Sequence, residues 1–377
     1  MLVTLITLTA AFFVKNQKGR YREKQKYNQE LIISRGQGLG YLCLGVIFTV
    51  LFLLSALRLE VGNDYGTYVD TIHEIYVGGY VVTEPLFNGV VKALCILSGG
   101  ENYLLVFGVF AFVTIWLFLE ILYHQSDNFF LAFFLFMTLG IYFRTFNTVR
   151  YYFVLALALY SLRYVLQKEY GKFILMIGFG ALFHKSVLVV VPLYLIAALP
   201  WKKWHVAVMT GLGVVLVAAQ DLVIWFALIL YPSYRNTIYL ETESGFAGNI
   251  MTLVRCIAVC LLALVCGKKT IRDNPKGRLY FQMNLLAIGL YTFASFLPLV
   301  GRLGYYLITS HVLLIPLLLK NTEDAKKRRL LTAIVIGAGV LYFLYFLMTA
   351  DREGVRVLPY KSWLFYEKEF LNAGEIF

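Results

Sequence analysis

The stretch YLLVFGVFAFVTIWLFLEILY, residues 103–123, contains one charged residue, Glu120, and is long enough to cross a lipid bilayer as a single helix. Similar apolar stretches recur along the chain, and hydrophobic residues make up 60% of its 377 residues. Apolar runs of this length are typical of transmembrane helices. The sequence therefore predicts an all-α polytopic membrane protein, with room for roughly ten to twelve spanning helices.

We expect residues 1–377 to form a single integral membrane domain, because no loop between the apolar stretches is long enough for a separate soluble domain. The predicted spans are Met1–Val14, Gly40–Leu57, Tyr103–Tyr123, Phe129–Phe143, Tyr151–Leu166, Phe173–Leu199, Val206–Leu230, Ile250–Val265, Leu279–Val300, Leu303–Leu319 and Leu330–Thr349.

Charged residues between the spans fall into two alternating classes. Dense basic loops carry most of the net charge of +12, and the positive-inside rule favours cytoplasmic anchoring over nucleic-acid binding as its explanation. The dense loops are Lys15–Lys26, Arg163–Lys172, Lys202–Lys203, Lys268–Arg278 and Lys320–Arg329. The sparse loops hold single charges of both signs, and we expect them at the outer face, at residues 58–102, 144–150, 231–249 and 350–377.

This two-sided arrangement requires two segments that do not cross as simple spans. Residues 84–98 would be re-entrant or interfacial, and Phe173–Leu199 would be a broken pair of helices turning near His184. Broken backbone at membrane depth is tolerated where it lines a cavity. The alternative is one long tilted helix over Phe173–Leu199, with a different path for residues 84–98.

Signatures of nucleotide or metal chemistry are missing from the sequence. It has no Walker loop, no His-x-x-x-His zinc pair and no Gly-x-Ser-x-Gly elbow. The five cysteines lie in or beside apolar stretches without His or carboxylate clusters, and they are typical of small core residues. We therefore expect neither a cofactor nor a metal.

Isolated polar residues of the sparse loops are candidates for a site, each with a structural alternative. Asp64 and Tyr65 lie in a Gly-bracketed turn that follows Arg58, where tyrosine and arginine also serve as interfacial anchors. Glu84 precedes Pro85, so this carboxylate could cap a helix N-terminus or belong to a site.

The cationic candidates lie further along the chain. Arg144 and Arg150 bracket the junction of two spans, where they could extend to the interface as anchors or bind an anion through their planar donors. Arg302 lies between glycine-containing segments and presents the same choice. His184 is either a buried core residue or a general base within an apolar segment. Together these residues suit an anionic, lipid-carried substrate.

Several short blocks in this order make the chain similar to the EpsG family of Wzy-type polysaccharide polymerases. The match covers nearly the whole chain, and it departs from the family at Tyr151, where the family often has Gln. The blocks are Arg58 with Gly62-Asn63-Asp64-Tyr65 and Tyr68; Glu84-Pro85-Leu86-Phe87; Asn147-Thr148-Val149-Arg150-Tyr151; Phe183-His184-Lys185-Ser186; Gly301-Arg302-Leu303-Gly304-Tyr305-Tyr306; and Pro359-Tyr360.

The resemblance implies a GT-C-like, metal-independent glycosyltransferase of the bacterial cytoplasmic membrane, with its active site facing outside. Such an enzyme joins oligosaccharide units carried on undecaprenyl diphosphate into an exopolysaccharide, capsule or O-antigen-type glycan and releases undecaprenyl diphosphate. Its expected partners are the lipid-linked oligosaccharides, the bilayer, a chain-length regulator and a flippase.

The resemblance also suggests roles for the candidate residues. His184, Asp64 and Glu84 are the expected catalytic residues, and His184 or a carboxylate would be the base. The expected diphosphate-binding residues are Arg150, Arg302, Arg58 and Arg144, with Arg58 alternatively stabilising the Asp64 loop. Candidates for sugar contacts are Tyr65, Tyr305 and Tyr360.

Two other functions fit parts of the same pattern. A membrane O-acyltransferase acting on glycans would also place a histidine in an apolar segment. A transporter for lipid-linked sugars would need polar residues along a path through the membrane and symmetry-related repeats, and we find no clear repeat.

Overall fold

The computed structural model describes residues 1–14, 35–230, 244–267, 269–297, 300–351 and 355–365. This part of the chain is helical, and the only extended pairing in it is an isolated antiparallel bridge between Arg58 and Ser362. The predicted all-α polytopic membrane protein is confirmed. The basic loop at Lys15–Lys26 and most of the predicted loop at 231–249 lie outside the described residues.

The helices follow one another with short connections. They are α1 (Leu2–Phe12), α2 (Arg35–Ala56), α3 (Tyr65–Val77), α4 (Pro85–Leu97), α5 (Tyr103–His124), α6 (Phe129–Thr138), α7 (Ile141–Arg144), α8 (Val149–Leu166), α9 (Tyr170–Ala181), α10 (Val190–Ala198), α11 (Lys203–Ala218), α12 (Gln220–Leu230), α13 (Ser244–Cys266), α14 (Lys269–Asp273), α15 (Pro275–Phe293), α16 (Val300–Ile308), α17 (His311–Lys320) and α18 (Ala325–Met348). A 3-10 helix, Lys185–Val189, precedes α10.

Six segments of the described chain are long and apolar enough to span a membrane, and counting the bent pair α11–α12 as one span raises the number to seven. Shorter apolar helices include α1, α4, α6 and α9. The six segments are Gly38–Ala56, Tyr103–His124, Val149–Leu166, Asn249–Cys266, Val300–Lys320 and Ala325–Met348.

Several predicted spans are not single helices: Leu279–Val300 extends beyond α15, which ends at Phe293, and Leu303–Leu319 is divided into α16 and α17. Phe129–Phe143 is interrupted at Gly140, whose φ of 72° ends α6 and turns the chain into α7. A Cβ at Gly140 would lie 3.0 Å from the Phe346 ring, so this break also allows close packing. Val206–Leu230 is divided into α11 and α12, which meet at an angle of 82°.

The predicted break near His184 is present. Helix α9 ends at Ala181, and the chain resumes as the 3-10 helix at Lys185. His184 therefore lies in the interruption, where its backbone is not constrained by a continuous helix. Helix α4 occupies most of residues 84–98 and buries Phe87, Val91 and Cys95 along one face.

The chain forms two compact units, each assembled from separated segments. Unit 1 comprises Met1–Leu157, Phe179–Lys185 and Ala333–Phe377. Its core is rich in aromatic side chains, and the hydroxyl of Tyr142 donates to the Leu51 carbonyl at 2.7 Å within it. Because hydroxyls of buried tyrosines need a partner, this bond fixes Tyr142 against α2.

Unit 2 comprises Ala158–Gly178 and Ser186–Thr332. Helix α15 lies at its centre and packs against α10, α11, α13, α14, α16 and α17. Polar side chains join these helices inside the apolar core: Asn284 donates to the Cys256 carbonyl at 3.0 Å and pairs with His311 at 2.7 Å. Satisfied hydrogen bonds make such buried polar groups tolerable.

Candidate functional site

Glu84 is held at the N-terminus of α4 by the local sequence. It is the N-cap residue, and Pro85 occupies the first turn, where a missing N–H costs no hydrogen bond. The backbone N–H of Leu86 donates to the Leu182 carbonyl at 3.2 Å, so the start of α4 is joined to the segment that precedes His184. The capping position predicted for Glu84 is thus present, and its carboxylate is placed among residues from other segments.

Both carboxylate oxygens of Glu84 are engaged. Oε2 accepts a hydrogen bond from Nη1 of Arg150. Oε1 accepts from the backbone N–H of Lys185 at 3.0 Å and lies 3.4 Å from Nδ1 of His184. We refer to Glu84, Arg150 and His184 as the Glu84 trio. Three of the predicted site residues, distant in sequence, are therefore brought together within unit 1.

The side chains of the trio are largely, but not completely, buried. The side chains of Arg150, Glu84 and His184 are 17%, 13% and 14% exposed. At this level of burial, ionic contacts are less screened by solvent than surface pairs are, and part of each side chain remains exposed.

The carboxylate of Glu84 is stabilised in its charged form. Burial by itself would raise its pKa, but the contacts with His184, the Lys185 N–H and Arg150 outweigh burial and lower the pKa to about 2. A carboxylate with such a low pKa is a weak base. Glu84 is therefore suited to orienting its neighbours rather than to accepting a proton.

His184 is oriented by two neighbours. Nδ1 faces Glu84, and the ring meets the Tyr151 ring edge-on, with centroids 5.9 Å apart. A proton on Nδ1 would be directed at the carboxylate and would leave Nε2 with a lone pair. This arrangement prepares Nε2 to accept a proton.

Arg150 lies in the first turn of α8, where its backbone N–H donates to the Tyr68 hydroxyl at 3.2 Å. Its guanidinium lies over the Phe87 ring, 5.0 Å from the centroid, and 6.0 Å from the Tyr68 centroid. Nε of Arg150 is buried and makes no hydrogen bond to any residue that the structure describes. The side chain thus has donors available beyond the one used by Glu84.

A second cluster fixes the segment that carries Arg150. Oδ2 of Asp64 accepts from the Thr148 hydroxyl at 2.6 Å, and the Asn63 N–H donates to Oδ1 of Asn147 at 3.1 Å. A Cβ at Gly62 would lie 2.2 Å from the Phe146 carbonyl oxygen, and the φ of Gly62 is +99°. Only glycine fits this approach. Asp64 therefore supports the Arg150 segment through Thr148.

Arg58, predicted either to bind diphosphate or to stabilise the Asp64 loop, is buried. Arg58 is 2% exposed, bonds to the Ser55 carbonyl and stacks on Phe107, 4.6 Å from the ring centroid. Burial lowers its pKa to about 10, so the side chain stays charged at neutral pH. This burial, together with the contacts with Phe107 and Phe146, fits the predicted alternative role of stabilising the loop that carries Asp64.

Two of the tyrosines predicted to contact sugar also have structural roles. Tyr65 is 7% exposed and stacks on Phe107 with centroids 4.9 Å apart, so one of its ring faces is covered and little of the side chain is exposed. The Tyr360 hydroxyl donates to the Leu54 carbonyl at 2.7 Å. Tyr360 thereby fastens the C-terminal segment to the end of α2.

The remaining predicted residues are separate from the trio or belong to unit 2. Arg144 lies beside Phe346, 5.9 Å from the ring centroid. Arg302 and Tyr305 are carried by α16 in unit 2, where Arg302 is exposed and Tyr305 is half-buried. Gly304 allows close packing there, since a Cβ would lie 2.2 Å from the Tyr291 hydroxyl.

Some polar contacts were not foreseen from the sequence. Thr148 and Tyr68 support Arg150. Both belong to the short sequence blocks on which the family resemblance rests, but neither was assigned a role from the sequence. His311 is fully buried in unit 2, inside the predicted span Leu303–Leu319. The reasoning that selected His184, an ionisable residue in an apolar stretch, applies equally to His311.

No group of three His, Cys, Asp or Glu side chains within the described residues could hold a metal ion. A cavity of about 710 Å³ in unit 2 is lined by residues of the predicted cytoplasmic loops, including Lys269, Asp273 and Lys327. None of the predicted site residues lines it.

Comparison with known proteins identifies the family. The sequence model of the EpsG family matches residues 41–362, a range that contains the whole Glu84 trio. No curated protein and no solved structure matches the chain. The match covers most of the chain, and the chain therefore belongs to the EpsG family of polysaccharide polymerase-like membrane proteins.

Proposed function

We propose that the protein polymerises undecaprenyl-diphosphate-linked oligosaccharide units into an exopolysaccharide, capsule or O-antigen-type glycan at the outer face of the bacterial cytoplasmic membrane. The observation that carries this proposal is the Glu84 trio, which places a histidine, an orienting carboxylate and an arginine at one point of an EpsG-family membrane protein. These groups supply a base and a phosphate-binding cation.

In the proposed reaction, a hydroxyl of the acceptor sugar attacks the anomeric carbon of the growing chain. The new C–O bond forms as the bond from that carbon to the diphosphate breaks, and undecaprenyl diphosphate leaves with the bonding electron pair. Nε2 of His184 takes the proton of the attacking hydroxyl. The products are a chain lengthened by one unit and one undecaprenyl diphosphate.

Each member of the trio has a distinct role in this proposal. Arg150 stabilises the negative charge that develops on the leaving diphosphate, where preorganised donors are most effective. Glu84 is a positioning residue that faces Nδ1 of His184, so that Nε2 is the nitrogen that accepts the proton of the acceptor hydroxyl. Arg302 is proposed as a further diphosphate-binding residue on α16, and Tyr305 as a sugar contact.

The test is polymerisation by the purified full-length protein in lipid nanodiscs, with authentic lipid-linked units as substrate and gel analysis of chain length. Wild type should form a ladder, and Arg150→Ala should form none while remaining folded. Arg163→Ala is the matched control, because Arg163 lies on the same helix α8 at its opposite end. It should retain the ladder.

Normal ladders from Arg150→Ala would remove that residue from the mechanism. A folded wild type that leaves authentic units unjoined would contradict polymerisation. In that case, loss of acetyl groups from the glycan of a deletion strain would support the acyltransferase function, and accumulation of units on the inner leaflet would support a transporter.

A further inference from the structure

We propose that Glu84 occupies the position on Arg150 that a substrate diphosphate takes, so that donor binding displaces Glu84 from Arg150 while the carboxylate stays beside His184. This inference rests on the proposed function and adds a regulatory step to the same site: the base is fully engaged only once the donor is in place.

The first support is that the two oxygens of the Glu84 carboxylate have different partners. Oε2 bonds to Arg150, whereas Oε1 is held by the Lys185 N–H at 3.0 Å and lies 3.4 Å from Nδ1 of His184. The bond to Arg150 can therefore break while the Lys185 N–H keeps the carboxylate near the histidine. One carboxylate connects the anion-binding residue to the base.

The second support is the state of the Arg150 side chain. A guanidinium has five N–H donors and binds a phosphate best through two of them. In the described structure, Glu84 accepts from Nη1, and Nε is buried without a hydrogen bond to any described residue. The aromatic rings of Phe87 and Tyr68 lie against the guanidinium and hold it in place, while its Nε has no hydrogen-bond partner among the described residues. A diphosphate could satisfy more of the guanidinium N–H donors than the single oxygen of Glu84 does.

The third support is the access and charge of the trio. The Arg150 and Glu84 side chains are 17% and 13% exposed, so a ligand can approach the pair. Next to them, Lys185 is exposed, and its backbone is fixed by the bond to Glu84. A diphosphate carries more negative charge than one carboxylate and would gain from both cations. Displacement of Glu84 from Arg150 by the diphosphate is therefore favoured over binding of the diphosphate beside an intact Glu84–Arg150 pair.

After the exchange, Glu84 no longer shares its charge with Arg150, and its interaction with Nδ1 of His184 strengthens. The imidazole then becomes the better proton acceptor. Before donor binding, the carboxylate is partly neutralised by Arg150, and the base is correspondingly weaker. The coupling would suppress proton abstraction from an acceptor when no donor is present.

The experiment measures binding of inorganic pyrophosphate to the full-length protein in nanodiscs by isothermal titration calorimetry. Glu84→Gln removes the competing charge, and the Kd for pyrophosphate should fall about tenfold, the effect of removing a competitor of modest ion-pair strength. Arg150→Ala should weaken binding in both backgrounds.

The matched control separates competition from a general change of charge. Glu101→Gln removes a carboxylate of unit 1 that pairs with His73 rather than with Arg150. It should alter the Kd less than twofold. Equal tightening by Glu101→Gln and Glu84→Gln, or no tightening by Glu84→Gln, would overturn the proposal.

A second readout follows the histidine itself. With ¹⁵N-labelled histidine, saturating pyrophosphate should shift the ring signals of His184 in wild type and leave them in place in Glu84→Gln; His184→Ala assigns the signals among the five histidines. Binding that leaves the wild-type His184 signals unchanged would contradict the exchange. Exchange without ladder formation would refute only the proposed function, and ladder formation without exchange would refute only this inference.

Discussion

Oε1 of Glu84 accepts a hydrogen bond from the backbone N–H of Lys185 at 3.0 Å, although the two residues are 101 positions apart in sequence. This bond joins the N-terminus of α4 to the interruption between α9 and the following 3-10 helix. It places the carboxylate beside His184, whose Nδ1 lies 3.4 Å away. The break in the helix near His184 therefore makes the backbone N–H of Lys185 available as a hydrogen-bond donor to Glu84.

The contribution of Glu84 to stability should depend on pH. Its pKa is lowered from an ordinary value of 4.5 to about 2, so its stabilising effect is present above pH 4.5 and is lost as pH falls toward 2. The full shift would correspond to ~3 kcal/mol, and solvent screening of the partly exposed trio reduces the expected effect to about 2 kcal/mol.

The measurement is the thermal unfolding midpoint of wild type and Glu84→Gln in detergent between pH 7 and pH 2.5. Wild type should unfold at the higher temperature at pH 7, and the difference should shrink as the pH approaches 2.5. A difference that stays constant over this range would show that the charge of Glu84 does not stabilise the fold.

Replacement of Gly62 by alanine should destabilise the protein by about 2–3 kcal/mol, because the new Cβ would clash with the Phe146 carbonyl at a φ that favours glycine. The cluster that supports Arg150 would be displaced along with it. Gly66→Ala is the matched control: it lies in α3, nothing is within 4 Å of its Cβ position, and alanine should be neutral or slightly stabilising there. Thermal unfolding of the two variants provides the comparison, and equal midpoints would contradict the close approach of Gly62 to Phe146.

Arg58 and Arg150 should respond oppositely to truncation. Arg58→Ala should lower the unfolding temperature and leave the pyrophosphate Kd of the folded fraction within twofold of wild type, because its guanidinium is buried against Phe107. Arg150→Ala should weaken pyrophosphate binding by at least tenfold with a smaller loss of stability. A large loss of binding in Arg58→Ala would restore Arg58 as a diphosphate-binding residue.

Helical architecture was accessible from the sequence because apolar stretches determine membrane spans, and the break near His184 followed from polar residues inside such a stretch. The 82° bend between α11 and α12 was not accessible, since the sequence Ala218-Ala219-Gln220 contains no Gly or Pro at that point. The break at Gly140 had a glycine as its only signal.

The candidate site, too, was only partly predictable from the sequence. Residue type singled out Glu84, Arg150 and His184, and the order of the blocks indicated the family. Which arginine would be exposed could not be read from the sequence, because Arg58 and Arg150 both lie between a polar segment and an apolar stretch. Burial beneath Phe107 and Phe146 separates them, and it depends on packing between distant segments. The bond from Thr148 to Asp64 depends on packing in the same way.

We propose that His184, oriented by Glu84, is the base in glycosyl transfer. The most direct measurement is ladder formation from lipid-linked units by His184→Ala beside His73→Ala, because His73 also pairs with a carboxylate, Glu101, at 2.8 Å in unit 1 but is not part of the trio. We expect His184→Ala to reduce the rate of polymerisation at least a hundredfold, the size expected for removal of a general base, while His73→Ala retains normal polymerisation. Ladders of normal rate and length from folded His184→Ala would contradict it.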